Sequence, residues 1–198
     1  MLLDLTRSLR LLVVLTLVCG IAYPLAVWGV SQVAFANAAN GSLVKEHGRV
    51  VGSSRLGQAF SGDDWFQGRP SAVAYSSGPV ANSGGTNLGP NSKVLAEAVH
   101  KELVRRAALE GVATSKVPVD LVTSSASGLD PDISPASAYL QVARVARARG
   151  LAPKVVHQLV RSQVLGPTLG LFGSRRVNVL RLNLALDRLR RCAGPAAS

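Results

Sequence analysis

The chain has 198 residues, 47% of them hydrophobic and only 5% aromatic, with 22 Lys and Arg against 11 Asp and Glu and a net charge of +11. That length holds one domain of ordinary size and an appendage, and two cysteines cannot build a disulfide framework. The charge invites a nucleic-acid partner, but the positives cluster only at Arg144/Arg147/Arg149, Arg175/Arg176 and Arg188/Arg190/Arg191. With no zinc-finger spacing and no aromatic ribonucleoprotein motif, nucleic acid is excluded as the expected partner.

The run from Leu11 to Ala36 carries no charged side chain. A helix of about 20 apolar residues already crosses a bilayer core. Membrane helices tolerate Gly20 and Pro24, and Tyr23, Trp28 and Phe35 suit the interface. The competing reading is a cleaved signal peptide, with Arg7 and Arg10 as its basic region and Ala34 to Ala36 as its cleavage site. A signal's apolar core is about 7–15 residues, shorter than this run, so a retained transmembrane helix over 11–36 is predicted. Arg7 and Arg10 abut one end, whereas Lys45 and Arg49 lie farther from the other. Positive-inside counting then makes 1–10 a cytoplasmic tail and places the main domain, 37–187, on the exoplasmic side. Residues 188–198 are expected as an exposed tail.

A polar linker leads into a short predicted strand, Arg49–Ser53. Residues 61–92, rich in Gly, Ser, Asn and Pro, read as a loop longer than compact domains usually carry. A helix follows, capped by Asn91 or Ser92, with Leu95, Ala98, Val99 and Leu103 as its apolar stripe and Gly111 as its stop. Residues 117–124 have the composition of a buried strand. In the connector 125–136, Gly128 supplies a turn, Asp130-Pro131 redirects the chain, and Ser134 caps a helix whose first residue is Pro135. That helix is predicted to run to Gly150, with Tyr139, Val142, Ala143 and Ala146 inward and Arg144 and Arg147 on the solvated side. Pro153 opens another, with Val156, Leu159 and Val160 inward and Gly166 as its stop. Residues 176–186 read as a final strand. Helices alternating with strands imply an α/β domain, with α+β as the alternative.

Catalytic machinery is not legible. There is no phosphate-binding loop, no nucleophile elbow and no Asp-Lys-Thr-Gly phosphorylation motif. His47 stands in no nucleophile motif, and His100 and His157 fall on predicted helices. Asp63/Asp64 and Asp130/Asp132 are the paired carboxylates, and neither pair has a third partner. No catalytic and no metal site is expected. The alternative that charge suggests is a membrane-anchored exoplasmic module that binds anionic lipid or an acidic partner.

Six stretches in order carry a resemblance: 39–44 (ANGSLV), 52–60 (GSSRLGQAF), 65–72 (WFQGRPSA), 83–90 (SGGTNLGP), 120–135 (DLVTSSASGLDPDISP) and 177–187 (VNVLRLNLALD). Behind one N-terminal span, they resemble the C subunits of the Kdp high-affinity potassium-transporting P-type ATPases of bacteria. The sequence departs from that pattern at Thr86, where Ser is expected, at Asp132, where His is common, and at Ser174, where Glu is expected. The resemblance implies a single-pass subunit of the bacterial cell membrane that does no catalysis itself and serves assembly of the potassium-uptake complex. It also implies a role as a catalytic chaperone that raises the ATPase subunit's affinity for ATP. The implied partners are a channel-like potassium-translocating subunit (KdpA-type), the P-type ATPase subunit (KdpB-type), a small single-span subunit (KdpF-type) and the lipid bilayer. No cofactor is expected on this chain: ATP enters through the ATPase subunit, and potassium is the transported ion. The one stretch suited to nucleotide contact is Ser83-Gly84-Gly85, which resembles an ATP-binding-cassette signature and otherwise reads as a flexible turn. The signature residues implied for partner contact or structure are Gln58, Arg69, Pro70, Asn87, Gly128, Asp130, Ser134, Pro135, Asn178 and Asn183.

Overall fold

The computed structural model describes residues 2–73, 75 and 82–192. The chain divides into two compact units, Met1–Val50 and Val51–Ser198. In the first, helix α1 (Leu2–Leu17) passes through a π-turn (Val18–Ala22) into α2 (Tyr23–Ala34). The three form one apolar helix of 33 residues with nothing buried along it. It starts well before the predicted Leu11, because Leu2 to Arg10 contain good helix formers and nothing that breaks a helix. At 1.5 Å per residue it is about 50 Å long, enough to cross a bilayer core of about 30 Å. The π-turn has a local cause. Pro24 lacks an N–H and its ring crowds the carbonyl four residues back; widening the turn, with Tyr23 N–H donating to Val18 O, relieves both.

A short helix, α3 (Ala36–Ala39), precedes a two-stranded sheet of β1 (Leu43–Glu46) and β2 (Arg49–Ser53). β2 occupies the predicted strand, whereas β1 was not expected. The turn between them uses His47 (φ 49°) and Gly48 (φ 78°), the two left-handed residues a tight hairpin requires.

The second unit is mixed helix and sheet, as expected, with antiparallel pairings. Among the described residues of 61–92 there is no strand or helix. Helix α4 (Lys93–Glu110) begins where predicted: the Ser92 hydroxyl accepts from Leu95 N–H, and Gly111 closes it at φ 66°. Leu95, Val99 and Leu103 lie half-buried, but Ala98 is exposed, and the stripe is completed by Arg106, Ala107 and Glu110. Residues 117–124 are not a strand. Pro118 offers no donor to a ladder, and the chain instead makes two 3₁₀ turns, Thr114–Lys116 and Val119–Leu121. The apolar content is still buried, through Leu121 and Val122.

After β3 (Asp132–Ile133), the predicted helix 135–149 is two helices, α5 (Pro135–Leu140) and α6 (Val142–Arg149), joined at Gln141. α7 (Pro153–Gln163) buries Val156 and Val160, then runs into β4 (Val164–Leu165) ahead of the predicted stop at Gly166. The last segment corrects the sequence reading most. Only Arg176–Asn178 (β5) is strand; Val179–Cys192 is helix α8, so the expected strand 176–186 is helical past Asn178, as is the start of the expected tail. Val179, Leu182, Asn183 and Leu186 recur at helical spacing and are all buried, which makes the period 3.6 rather than 2. Residues 193–198 lie outside the described residues.

β5 pairs with β3 through Asp132–Asn178 and Ile133–Val177, and with β4 through Val164–Val177 and Leu165–Arg176. On this small sheet the core forms from Phe66, Leu121, Val145, Val160, Leu182 and Leu186, each fully enclosed. Burying a side chain of this size stabilises by about 1.5–3 kcal/mol.

Candidate functional site

The signature residues gather at two polar assemblies. The first is a knot of loops around Ser127–Asp130. Gly57 N–H donates to Leu129 O at 2.8 Å, Gly84 N–H to Ser127 O at 2.8 Å, and the Ser71 hydroxyl to Gly128 O at 2.6 Å. Arg69 Nη1 lies 2.8 Å from Asp130 Oδ2, while Asp130 Oδ1 accepts the Asp132 N–H. Three separate segments thus end on one turn. The packing leaves no room for side chains at the glycines. A Cβ on Gly128, held at φ 70°, would meet Val73 Cγ2 at 2.5 Å and Gly84 O at 2.6 Å, and one on Gly85 would meet Ala126 O at 2.9 Å. Tyr75 completes the knot by donating to Arg69 O at 3.1 Å; burial, then the charge of Asp130, raise its phenol above the ordinary range.

Ser83, Gly84 and Gly85 are therefore an extended strip laid against backbone, with the Ser83 hydroxyl also on Ser127 O at 3.1 Å. Pro70 sits half-buried behind Arg69, while Asn87 is exposed at φ 52° and joins none of these contacts. Gln58 reaches back to β2 and donates to Val51 O at 3.1 Å; Gly52 makes room, since a Cβ there would meet Gln58 Oε1 at 2.7 Å.

The connector is a cap built by two segments. The Ser134 hydroxyl accepts from Ser137 N–H at 3.1 Å, and Pro135 takes the first helical position of α5. Asp120 completes the cap from the neighbouring turn, accepting the Ser134 N–H at 2.7 Å and the Ser137 hydroxyl at 2.6 Å. Ser134→Ala is expected to cost about 1–2 kcal/mol, read from the urea midpoint of the full chain in detergent. On β5, Asn178 donates to Asp132 Oδ1 and Ser54 O, both at 3.0 Å, and accepts Arg181 N–H at the start of α8. Burial lifts the Asp132 carboxyl above its ordinary range, with the Asn178 bond working against it.

The second assembly pins residues 62–69, and most of it was missed in the sequence. Asn183 accepts Phe66 N–H and donates to Phe66 O, both at 2.9 Å. Gln141 does the same for Gln67, at 2.8 and 3.0 Å. Two buried amides thus stand in for a neighbouring β-strand. Arg144, predicted on the solvated side, is buried: it donates to Asp63 O at 2.7 Å and Trp65 O at 3.0 Å, and pairs with Glu110 at 2.9 Å. Ala143, predicted inward, is exposed. The break at Gln141 turns the face of α6 away from that of one continuous helix. Arg149 stacks 4.2 Å over Trp65 and binds Asp187 at 2.7 Å. Arg106 binds Gln67 Oε1 at 3.0 Å and Gly68 O at 2.9 Å. A readable signal did exist: Arg106 and Glu110 continue the α4 stripe, three and seven residues past Leu103.

Glu102 sits between Arg105 and Arg106, at 2.5 and 2.8 Å. Burial pushes its carboxyl up, but the two guanidiniums more than reverse this and hold it below its ordinary value. A depressed carboxylate stabilises the fold above its unfolded pKa and loses that contribution as pH falls through the folded value. Glu102→Gln is therefore expected to flatten the acid limb of the stability curve below about pH 4.5 and to leave the neutral end within about 1 kcal/mol.

Of the remaining polar candidates, His100 is exposed on α4, and His157 stacks on Tyr139 with centroids 4.5 Å apart. Among the described residues no group of His, Cys, Asp and Glu is placed to hold a metal ion.

Residues 5–188 match the family described as KdpC: K+-transporting ATPase, c chain. The chain is 51% identical to the potassium-transporting ATPase KdpC subunit of Bradyrhizobium diazoefficiens, with 95% of this chain and 98% of the relative aligned. It is 50% identical to that of Rhodopseudomonas palustris (strain BisB5), covering 94% and 98%, and 52% identical to that of Methylobacterium nodulans, covering 96% and 98%. A match over nearly the whole length, with one membrane-length helix ahead of a compact mixed domain, places this protein in a membrane transport complex: the chain belongs to the KdpC family, the c chain of the K+-transporting ATPase.

Proposed function

We propose that this chain is the non-catalytic, membrane-anchored assembly subunit of an ATP-driven potassium-uptake complex, with its N-terminus cytoplasmic and its domain exoplasmic. The observation that carries the reading is how the signature residues are used. Arg69, Asp130, Ser134, Asn178 and Asn183 all bond within the domain, where they hold loops in place rather than aim at a substrate. Chemistry then belongs to an ATPase subunit and ion passage to a channel-like subunit, and this chain supplies a rigid body that holds them together.

A domain on the exoplasmic face has no direct access to a cytosolic ATP site. Any gain in ATP affinity, the catalytic-chaperone role, is therefore transmitted through the membrane helix. Contact of nucleotide with Ser83-Gly84-Gly85 is the weaker form of that role, because both backbone and hydroxyl there already bond to Ser127.

Deleting the gene is expected to abolish growth at micromolar potassium and recovery of an intact complex, with both restored by the full chain. Normal growth with an assembled complex would sink the proposal. Protease digestion of the domain in vesicles of known orientation tests the topology, and cleavage only from the cytoplasmic face would reverse it.

A further inference from the structure

Between β4 and β5 the chain makes a tight hairpin with an apolar tip. Thr168 N–H donates to Phe172 O at 2.8 Å and Phe172 N–H returns to Thr168 O at 2.9 Å, while Gly170 N–H reaches Pro167 O at 3.1 Å. The turn places Leu169 at φ 55°, a conformation leucine rarely adopts, next to Gly170 at φ 75°. The side chains this geometry presents are Leu169, Leu171 and Phe172, which are 86%, 82% and 66% exposed. Turn tips are ordinarily polar, so an apolar one held by backbone bonds is a presented surface.

The hairpin rises from a basic base. On one side Thr168 shares a recess with Arg55, Arg176 and Arg181, where Asp132 is the one carboxylate among the described residues and is bound by Arg176 at 3.2 Å. On the other, the exposed Arg161 and Arg175 flank the Tyr139–His157 stack. An apolar centre with an arginine rim is the anatomy of a protein interface. A bilayer is the poorer occupant, because the 33-residue helix already fixes the chain there and a three-residue tip would add little. A subunit that gathers potassium presents an electronegative mouth, which complements these arginines.

We infer that the 168–175 hairpin is a docking element of this chain, seating Leu169, Leu171 and Phe172 in a carboxylate-rimmed apolar recess on the aqueous face of the complex's cation-conducting membrane subunit. The inference rests on the assembly role proposed above.

The test uses the full chain in the assembled complex in native membranes, with Phe172→p-benzoylphenylalanine as a photoreactive probe. Illumination is expected to give a covalent adduct with the cation-conducting subunit; adducts with another subunit, with lipid alone, or none, overturn the inference. A Leu169→Ser/Leu171→Ser/Phe172→Ser variant is expected to lower recovery of the complex about tenfold or more, as loss of an interface hot spot does, while the full chain keeps its thermal midpoint. Full recovery overturns the inference, and if the variant misfolds the photoadduct still decides. Gene deletion separates the two claims. A complex that assembles without this chain defeats the assembly role itself, whereas one that needs the chain but not the apolar tip defeats only the hairpin.

Discussion

Arg144→Ala is expected to destabilise the full chain by about 3–5 kcal/mol, the usual cost of removing one partner of a buried ion pair. The substitution leaves the Glu110 carboxylate enclosed without its partner and strips a charged donor from the carbonyls of Asp63 and Trp65. The effect should also depend on pH. Burial raises the Glu110 carboxyl above its ordinary 4.5, and the charge of Arg144 is the main influence opposing that rise. A carboxyl raised on folding stabilises most while protonated, below its unfolded pKa, and loses that contribution as pH rises through the folded value. Without Arg144 the rise is larger, so the variant should lose stability more steeply than the parent between about pH 4.5 and neutrality. Urea midpoints in detergent at acidic and neutral pH measure this. A penalty equal at both would show that Glu110 is not the group left stranded.

Asn183→Leu should cost about 3 kcal/mol at nearly constant volume. It leaves both Phe66 N–H and Phe66 O without a partner in a fully enclosed position, and each unsatisfied group costs about 1–3 kcal/mol. The loss should fall on the loop as well as on the midpoint, with protease cleavage rising between Asp63 and Arg69. A change under about 1 kcal/mol would mean that the segment finds other partners. Gln141→Leu should behave alike for Gln67, and because the pinned residues adjoin, the double variant should lose less than the two single losses combined.

These two predictions turn on groups that the sequence did not single out for this role. Arg144 read as solvated because α5 and α6 looked like one helix, and Asn183 was expected on a strand. Both errors share a physical cause. The domain lacks enough strand to satisfy the backbone of 62–69, and helix-borne amides and guanidiniums do it from 38 to 117 residues away. Local periodicity carries no information about such distant partners.

Local chemistry was readable wherever a residue acts on its own neighbours. The Ser92 and Ser134 caps, the Gly111 stop and the turn at Gly128 start from adjacent backbone and stand where predicted, and the apolar helix is present but begins at Leu2 rather than Leu11. The ordered stretches pointed to the family for the same reason, since identity along the chain needs no folding. Tertiary structure alone decided that 179–192 is helix, that the Gly-rich strip is packed rather than open, that Arg144 and Arg149 turn inward, and that Leu169, Leu171 and Phe172 stand outward. In each case the choice depends on what lies across the gap, and a buried charge or an exposed leucine becomes visible only when the opposite wall, or its absence, is in place.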